Sequence, residues 1–405
     1  MKTLETDVCI AGGGPAGMLL ALLLAKMNIR VHVLEKQKNF DREYRGEILQ
    51  PRFLQMLDQL GLKEYLEKFP HEKLKQGAFF VHDHQIGSIN FQNVYSGIPY
   101  AISMPQPVLL QALYEKAAEY PSFELSFHAS VMKMIMEEGV VKGVTVKCVD
   151  EEFDIRAKIT IGADGRFSTL RRLMDYAIEY EQYSMDLIWF TIEHPEHWER
   201  MLRFQISNGP TCIMGSKYGN RLQVGIAFKR EEWDAIKQQG IEAFKQTIIN
   251  THPYFKDFAS SLTDFKPFTP LQSKLFMVKQ WAKDGCLLIG DAAHCATPIG
   301  AVGVSLSCAT AVIAADVIVK AINENDFSAG MLNLVQKIRE PEIRKIHAFQ
   351  KKIENVMVDS PVLRKIRPIA ITLLAKTPLF TKIQKRMLLM PTPLPIDPQL
   401  SFNKQ

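Results

Sequence analysis

Cysteine is scarce in this 405-residue chain, and its spacing excludes several chemistries. No two of the six cysteines have two residues between them, the spacing that zinc sites and dithiol redox motifs use. Two histidine pairs, His82 with His84 and His194 with His197, have no third ligand near them in the sequence. We therefore expect no metal site, no disulfide-reductase activity and buried thiols in a reducing cytoplasm.

Strong charge, an export signal and an uninterrupted membrane span are also missing. The 49 Lys and Arg residues only slightly outnumber the 44 Asp and Glu residues, so no nucleic-acid partner is expected. Residues 1–7 lead directly into a short apolar run, unlike a secretory signal peptide. The uncharged stretch 292–315 contains Pro298, Gly300 and Gly303, so it predicts a loop followed by a buried helix.

A glycine-rich turn near the N-terminus is the first feature with chemical meaning. An apolar run, the glycines, a helical run and a second apolar run predict a strand–turn–helix–strand unit over residues 7–35. Glu35 follows Gly17 by 18 residues. This pattern is typical of dinucleotide-binding units, in which glycines let the backbone approach a pyrophosphate and the acid meets a ribose. The alternative is a glycine turn that binds no ligand.

Two more motifs follow in the second and third parts of the chain. The first is Gly162-Ala163-Asp164-Gly165, continued to Arg171, and the second is Gly290-Asp291-Ala292-Ala293-His294 with Pro298, Gly300 and Gly303 behind it. Together with the N-terminal turn, this ordered set resembles the flavin monooxygenase family typified by para-hydroxybenzoate hydroxylase. The resemblance extends over about residues 7–350.

The resemblance implies an α/β fold: a Rossmann-like FAD-binding domain with an inserted antiparallel β-sheet substrate domain and C-terminal helices. In this interpretation, residues 1–75, 101–175 and 266–345 form the FAD-binding domain. Residues 76–100 and 176–265, which alternate like strands, form the substrate-binding sheet. Residues 346–405 form a C-terminal helical segment, and the length suits two or three such units.

The resemblance also implies which residues bind FAD. Asp291 would accept a hydrogen bond from a ribityl hydroxyl, and the backbone N–H groups that follow Pro298 would meet the flavin pyrimidine carbonyl. Arg45 would neutralise pyrophosphate charge. A helix cap at Asp291, a turn residue at Asp164 and a solvated charge at Arg45 are the structural alternatives. The expected cofactor set is Gly12, Gly13, Gly14, Pro15, Ala16, Gly17, Glu35, Lys36, Arg45, Gln106, Val131, Asp164, Gly290, Asp291, Pro298, Gly300, Ala301, Val302, Gly303 and Val304.

A substrate pocket is expected between the flavin and the inserted sheet. Its candidate lining residues stand on alternating strands and are large or polar, and plain core packing is the equal alternative for them. They are Trp189, Phe190, Phe204, Met214 and Gln223.

The chain departs from the family pattern beside the flavin ring. Ala301 replaces a usual glycine and Ser305 replaces a usual asparagine. An alanine adopts a positive φ only at a cost, so either residue 301 has a negative φ or the flavin contact is altered. The second alternative predicts a reduced FAD affinity.

The resemblance implies an FAD-dependent monooxygenase that uses NADPH or NADH and O2. Oxygen would add to the reduced flavin as a 4a-hydroperoxide, which would hydroxylate or epoxidise an aromatic or polycyclic small molecule. Because no second glycine fingerprint exists, the nicotinamide nucleotide would bind transiently. Two alternatives are a geranylgeranyl-reductase-like enzyme acting on isoprenoid double bonds and a flavoprotein that binds an aromatic compound without turnover.

The C-terminal stretch 361–396 is basic and apolar, with seven Lys or Arg residues and no acidic one. Such a segment could contact an anionic membrane surface. A helical tail packed on the FAD-binding domain is the favoured interpretation. The oligomeric state has no signal in the sequence.

Overall fold

The structure of the protein is a computed structural model that describes residues 2–41, 47–93, 97–149, 151–206, 210–357, 361–380, 382 and 394–403. The first eleven strands are β1 (Lys2–Ala11), β2 (Val31–Leu34), β3 (Ile48–Leu49), β4 (Glu72–Leu74), β5 (Gln76–Val81), β6 (His84–Asn90), β7 (Ala101–Ser103), β8 (Phe123–Ser126), β9 (Ala129–Glu137), β10 (Val140–Cys148) and β11 (Glu151–Gly162). The next ten are β12 (Ile178–Glu181), β13 (Met185–Glu193), β14 (Leu202–Ile206), β15 (Cys212–Lys217), β16 (Arg221–Lys229), β17 (Thr269–Leu271), β18 (Leu275–Val278), β19 (Ala282–Lys283), β20 (Cys286–Leu288) and β21 (His294–Cys295).

The helices connect these strands, which form one sheet of eight strands, one of seven and two of three. In chain order they are α1 (Pro15–Lys26), α2 (Pro51–Gln59), α3 (Lys63–Leu66), α4 (Gln106–Ala117), α5 (Thr169–Leu173), α6 (Arg230–Gln239), α7 (Ile241–Thr251), α8 (Lys256–Ser261), α9 (Gly303–Glu324), α10 (Ala329–Leu332), α11 (Leu334–Met357) and α12 (Pro361–Ala375).

The main sheet has eight strands, and its central strands run parallel. The order is β19-β20-β11-β1-β2-β8, with β10 paired to β11 and β9 paired to β10. The pairs β20–β11, β11–β1, β1–β2 and β2–β8 are parallel. Helix α1 is buried over nearly its whole length because it packs against this sheet, α4 and α9. The Rossmann-like half of the predicted fold is confirmed.

The uncharged stretch 292–315 forms a loop and the first half of α9. Among the residues that the structure describes, the one helix with the length and apolarity of a membrane span is Ile299–Glu324, and 78% of its most apolar window is buried inside the protein. It is the central core helix, packed against α1 and α11. The predicted loop and buried helix are therefore confirmed.

A second sheet of seven strands has the order β17-β13-β16-β15-β14-β5-β6. It is antiparallel, as predicted, except for the pair β14 and β5, which run parallel. Residues 230–261 form α6, α7 and α8 instead of strands. Apolar residues recur at helical spacing there, as at Phe244 and Ile248, and their side chains bury one face of the sheet.

Helix α11 binds several loops through polar side chains on its buried face. Gln350 donates to the carbonyl oxygens of Thr297 and Ile299 at 3.0 and 2.8 Å and accepts the N–H of Thr297 at 3.1 Å. Glu354 accepts the N–H of Ser184 at 2.7 Å. Because these bonds are buried and directional, α11 fixes the loop before α9 relative to both sheets.

The basic C-terminal stretch is only partly within the described residues. Side chains of five of its seven basic residues lie outside them: Arg364, Lys365, Arg367, Lys385 and Arg386. Lys376 and Lys382 are exposed. A membrane contact through this stretch stays a prediction.

Candidate functional site

All three sequence motifs meet at one edge of the main sheet. Gly12 follows β1, Glu35 follows β2, Asp164 follows β11 and Gly290 follows β20, and these four strands are parallel neighbours. Ligands of open parallel sheets bind outside the carboxyl ends of the strands. The adjoining ends are joined by hydrogen bonds from Gly12 N–H to Leu34 O, from Ala163 N–H to Ala11 O and from Ile289 N–H to Gly162 O, at 2.8, 2.8 and 2.9 Å.

The glycines of the first motif have two different functions. A Cβ on Gly12, whose φ is +110°, would lie 2.4 Å from the Ala163 carbonyl oxygen, and one on Gly17 would lie 2.0 Å from the Gly12 oxygen. These two glycines therefore let α1 approach the sheet. A Cβ on Gly14 would meet no atom within 4 Å, and no side chain caps the helix that begins at Pro15. The first turn thus has no side-chain acceptor for its N–H groups and has open space beside Gly14, where an anion can bind.

Glu35 lies beside this turn with its carboxylate already positioned by the backbone. It is 3% exposed, and its two oxygens accept the N–H groups of Gly13 at 3.0 Å and Gln37 at 2.9 Å. Strand β9, which carries the half-buried Val131, begins next to it through the Ala129 N–H to Glu35 O bond of 2.9 Å. Lys36 is exposed. The ribose and adenine contacts expected of these residues stay predictions.

Asp164 acts as a helix cap. One carboxylate oxygen accepts the N–H groups of Thr169 at 2.6 Å and Leu170 at 3.2 Å, and the other is buried without a hydrogen-bond partner. Burial raises the pKa of this carboxyl, and the N–H donors oppose that shift. The carboxylate thus binds the first turn of α5, a role that neither the cofactor interpretation nor the turn-residue alternative for Asp164 predicted, and contact with a cofactor stays a prediction.

Asp291 stands at the end of β20, where its carboxylate bridges two motifs. It accepts the Ser307 hydroxyl of α9 at 3.3 Å, and Arg166 lies 3.8 Å away. Burial raises the pKa of Asp291, and the positive charge of Arg166 opposes the shift. Arg166 also donates to the Gln272 carbonyl oxygen at 2.9 Å. The second and third motifs are therefore in direct contact.

The loop from Pro298 to Val304 leads into the N-terminus of α9. Gly300 has a φ of +82° and Ala301 a φ of +50°, so the alternative in which residue 301 has a negative φ is wrong. Val302 caps α9 without a side-chain hydrogen bond, and a Cβ on Gly303 would meet no atom within 4 Å. The first turn of α9 therefore lacks a side-chain acceptor and has open space beside Gly303, as the first turn of α1 has beside Gly14.

Gln50 and Gln106 complete this edge of the site. Gln50, which sequence reasoning missed, donates its amide to the Gly300 carbonyl oxygen 250 residues away, so no local pattern marks it. Gln106 begins α4 and is 2% exposed, yet neither its amide oxygen nor its nitrogen has a hydrogen-bond partner. Arg45 lies outside the described residues. Within the described residues, no group of three His, Cys, Asp or Glu side chains could hold a metal ion.

Phe190 and Met214 lie on the far side of the second sheet. The Phe190 ring stacks on Phe258 of α8 with centroids 4.8 Å apart, and Met214 is fully buried in the same cluster. Their predicted place in the substrate pocket is wrong, because α6, α7 and α8 cover this face. Strand alternation puts their neighbours Trp189 and Ile213 on the opposite face.

That opposite face approaches the loop before α9. Ala227 packs in one cluster with Ile299, and Lys217 pairs with Glu47 at 2.8 Å. Strand register aligns two rows of residues across it. The apolar row consists of Trp189, Gly225, Ile213, Phe204 and Phe79, and the second row of Thr191, Gln223, Gly215, Leu202 and Gly77.

The apolar row is incompletely covered. Trp189, Ile213, Phe204 and Phe79 are half-buried, whereas the apolar side chains under the helices are buried. The indole of Trp189 lies over Gly225, where a Cβ would come 2.5 Å from the ring. Three of the expected lining residues, Trp189, Phe204 and Gln223, thus lie on the face toward the α9 loop. Ile213 and Phe79 were missed because alternation alone does not give the register between strands.

Comparisons with known proteins agree with this geometry. A family model described as FAD binding domain matches residues 5–346. The 6-methylpretetramide 4-monooxygenase of Streptomyces rimosus is 32% identical over 389 residues, which are 95% of this chain and 92% of that protein.

The chain belongs to the FAD binding domain family of flavin monooxygenases.

Two further proteins extend the comparison. Squalene epoxidase 4 of Arabidopsis thaliana is 36% identical over 187 residues, or 45% of this chain and 36% of that one. The solved structure of p-nitrophenol 4-monooxygenase PnpA from Pseudomonas putida superposes with a TM-score of 0.80 at 19% identity, over 96% of this chain and 98% of that one. The predicted fold, the FAD-dependent monooxygenase class and FAD as cofactor are confirmed.

The residues of the monooxygenase fit FAD. Two helix N-termini without side-chain caps face open space, as the pyrophosphate and the flavin carbonyl require. Gln106 supplies a buried amide whose donor and acceptor are both unpartnered, which is costly unless a bound group completes them. The backbone of residues 12–17 and 300–304, Glu35, Asp291 and Gln106 would hold the cofactor.

The unpartnered amide of Gln106 predicts opposite effects on the apoprotein and on FAD binding. In Gln106→Met, the apoprotein should gain about 1 kcal/mol of stability, because an unpartnered buried amide is removed. The Kd for FAD should rise about ten-fold, because a hydrogen bond to the cofactor is lost. Thermal unfolding with and without FAD, together with flavin fluorescence titration, measures both. Gln111→Met, a change at an exposed position of the same helix, should alter neither quantity. A loss of both apoprotein stability and FAD affinity in Gln106→Met would contradict the prediction.

The left-handed conformation of Ala301 predicts that a glycine improves cofactor binding. Ala301→Gly should lower the Kd for FAD about five-fold, because an L-residue with a positive φ carries about 1 kcal/mol of strain. Flavin fluorescence titration measures this change. Val149→Gly relieves a φ of +54° in the turn between β10 and β11, so it should raise the melting temperature without changing the Kd. An unchanged Kd in Ala301→Gly would show that its strain does not oppose FAD binding.

Proposed function

We propose that this cytoplasmic monooxygenase hydroxylates a flat polycyclic aromatic compound, bound between the apolar row and the α9 loop. The observation that carries the proposal is the apolar row itself. It crosses five strands, which at ordinary strand spacing is about 19 Å, longer than a single aromatic ring. Its half-buried side chains offer apolar area and aromatic faces to a planar ligand.

Each part of the site has a separate task in this reaction. When bound, FAD takes electrons from a nicotinamide nucleotide and supplies the oxygen-transfer chemistry. The α1 and α9 N-termini bind and orient it, and Gln50 and Gln350 fix the loop between Thr297 and Gly300 from opposite sides. The apolar row excludes water and aligns the substrate ring with that loop. The nicotinamide nucleotide binds transiently, since the sequence contains one glycine fingerprint.

The relatives favour hydroxylation over epoxidation by sequence identity over a comparable extent of the chain. The monooxygenase that acts on 6-methylpretetramide aligns with 95% of this chain. An alignment of that length includes the strands of the apolar row. Squalene epoxidase 4 is 36% identical over 45% of the chain, and squalene epoxidase 6 of Arabidopsis thaliana is 26% identical over 87% of it. Epoxidation of an apolar alkene is therefore the second candidate, favoured by the apolar character of the row.

Isotope labelling tests the proposed function. The FAD-loaded enzyme, supplied with NADPH or NADH under 18O2, should add one labelled oxygen atom to a polycyclic phenol such as 1,8-dihydroxyanthraquinone or a related fused-ring compound. Mass spectrometry of the product and consumption of the nucleotide give the coupling ratio. Saturation of an isoprenoid double bond without oxygen would replace the proposal by the reductase alternative. Tight binding of the aromatic compounds without nucleotide consumption would replace it by the binding-protein alternative.

Two adjacent residues on β15 should separate substrate binding from folding. Ile213→Ala removes apolar area from the apolar row, so it should raise KM for the fused-ring substrate about five-fold with little loss of stability. Met214→Ala empties a buried site under the helices, so it should cost about 2–5 kcal/mol of unfolding free energy and leave KM unchanged. Steady-state kinetics and denaturant unfolding check the pair. The reverse assignment of effects would contradict the orientation of the sheet in this proposal.

A further inference from the structure

One residue of the C-terminal segment, Phe380, is buried although the four residues before it are exposed. Phe380 is 8% exposed, whereas the preceding Leu379 is 55% exposed and residues 376–378 are exposed as well. Phe380 lies five residues after the end of α12, and the family model ends at residue 346. An apolar side chain buried alone in an exposed stretch fixes the position of that stretch.

The contact that buries Phe380 is made with the apolar row. Its ring packs edge-on against Phe79, with centroids 5.4 Å apart and planes at 74°. Phe79 in turn stacks on Phe204, with centroids 4.9 Å apart and planes at 13°. Phe79 is the last member of the row on the β5 side. Phe380 therefore adds a third ring to the aromatic surface at the β5 end of the row.

We propose that Phe380 is a specificity-determining residue that closes the β5 end of the substrate site. The inference rests on the proposed function and adds a size limit to it. The edge of the Phe380 ring meets the end of the apolar row, so it stabilises a ligand ring that packs against it. It blocks a ligand that extends further along the row. The residue belongs to the C-terminal segment, so the length of the substrate is set by a part of the chain outside the matched FAD-binding region.

Ligand size should reveal this role. In Phe380→Ala, the Kd of 1,8-dihydroxyanthraquinone, measured by perturbation of the flavin spectrum, should rise about five-fold. The Kd of phenol should change less than about two-fold, because a single ring does not span the row. Phe380→Trp should weaken only the larger ligand, because the added ring shortens the site. The Kd for FAD should stay unchanged in both variants.

The matched control is Leu379→Ala, which shortens the exposed neighbouring side chain and should leave both ligand affinities unchanged. If Phe380→Ala unfolds, Phe380→Leu keeps the apolar volume without the ring edge and should give a smaller increase of the same Kd. Equal ligand affinities in the Phe380 variants and the Leu379 control would overturn the inference and make Phe380 a packing residue.

Failure of the proposed function is distinguishable from failure of this inference. If the wild type binds the fused-ring compound but transfers no labelled oxygen, the proposed function fails while the affinity ratio still tests Phe380. If the wild type transfers oxygen and the Phe380 variants bind and turn over both ring sizes as the control does, only the inference fails. If the wild type binds neither compound, both are overturned.

Discussion

The close approach of α1 to the main sheet is the contact on which the cofactor half depends. Gly12 and Gly17 leave no room for a Cβ, since one would lie 2.4 Å from the Ala163 oxygen and the other 2.0 Å from the Gly12 oxygen. This spacing sets the helix N-terminus directly above the ends of β1 and β11. Because β2 runs parallel beside β1, and β20 runs parallel beside β11, Glu35 and Asp291 lie at the same edge of the sheet.

The loop before α9 is the second constraint on the site, because it positions the N-terminus of a helix that no side chain caps. Gln50, which precedes α2, and Gln350 of α11 donate hydrogen bonds to its carbonyl oxygens, so the loop is held in place without using the N–H groups that begin α9. Ala301 accepts a left-handed conformation as part of this arrangement. Buried hydrogen bonds from two elements thus hold a strained loop that its own sequence would not favour.

The cofactor half was predictable because its signals are local. Glycines at fixed offsets, a following helix and an acidic residue at the next strand end constrain the backbone within a few residues, and the structure brings these motifs together. Gln50 carries no such signal, since its partner is 250 residues away. The sequence of α6 to α8 is compatible with strands as well as helices. Aromatic residues are common in strands, and a short apolar run does not distinguish a strand from a buried helix.

The substrate half was harder to predict for a geometric reason. Alternation shows that Phe190 and Trp189 lie on opposite faces of β13, but it does not say which face a helix covers. That choice is decided by α6 to α8 and by the pairing of five strands, which are all non-local. The same limit applies to Phe380, whose ring meets Phe79 across 301 positions of the chain. Sequence motifs therefore identify the cofactor and the reaction class, whereas the arrangement of the second sheet and the C-terminal segment decides which molecule reaches them.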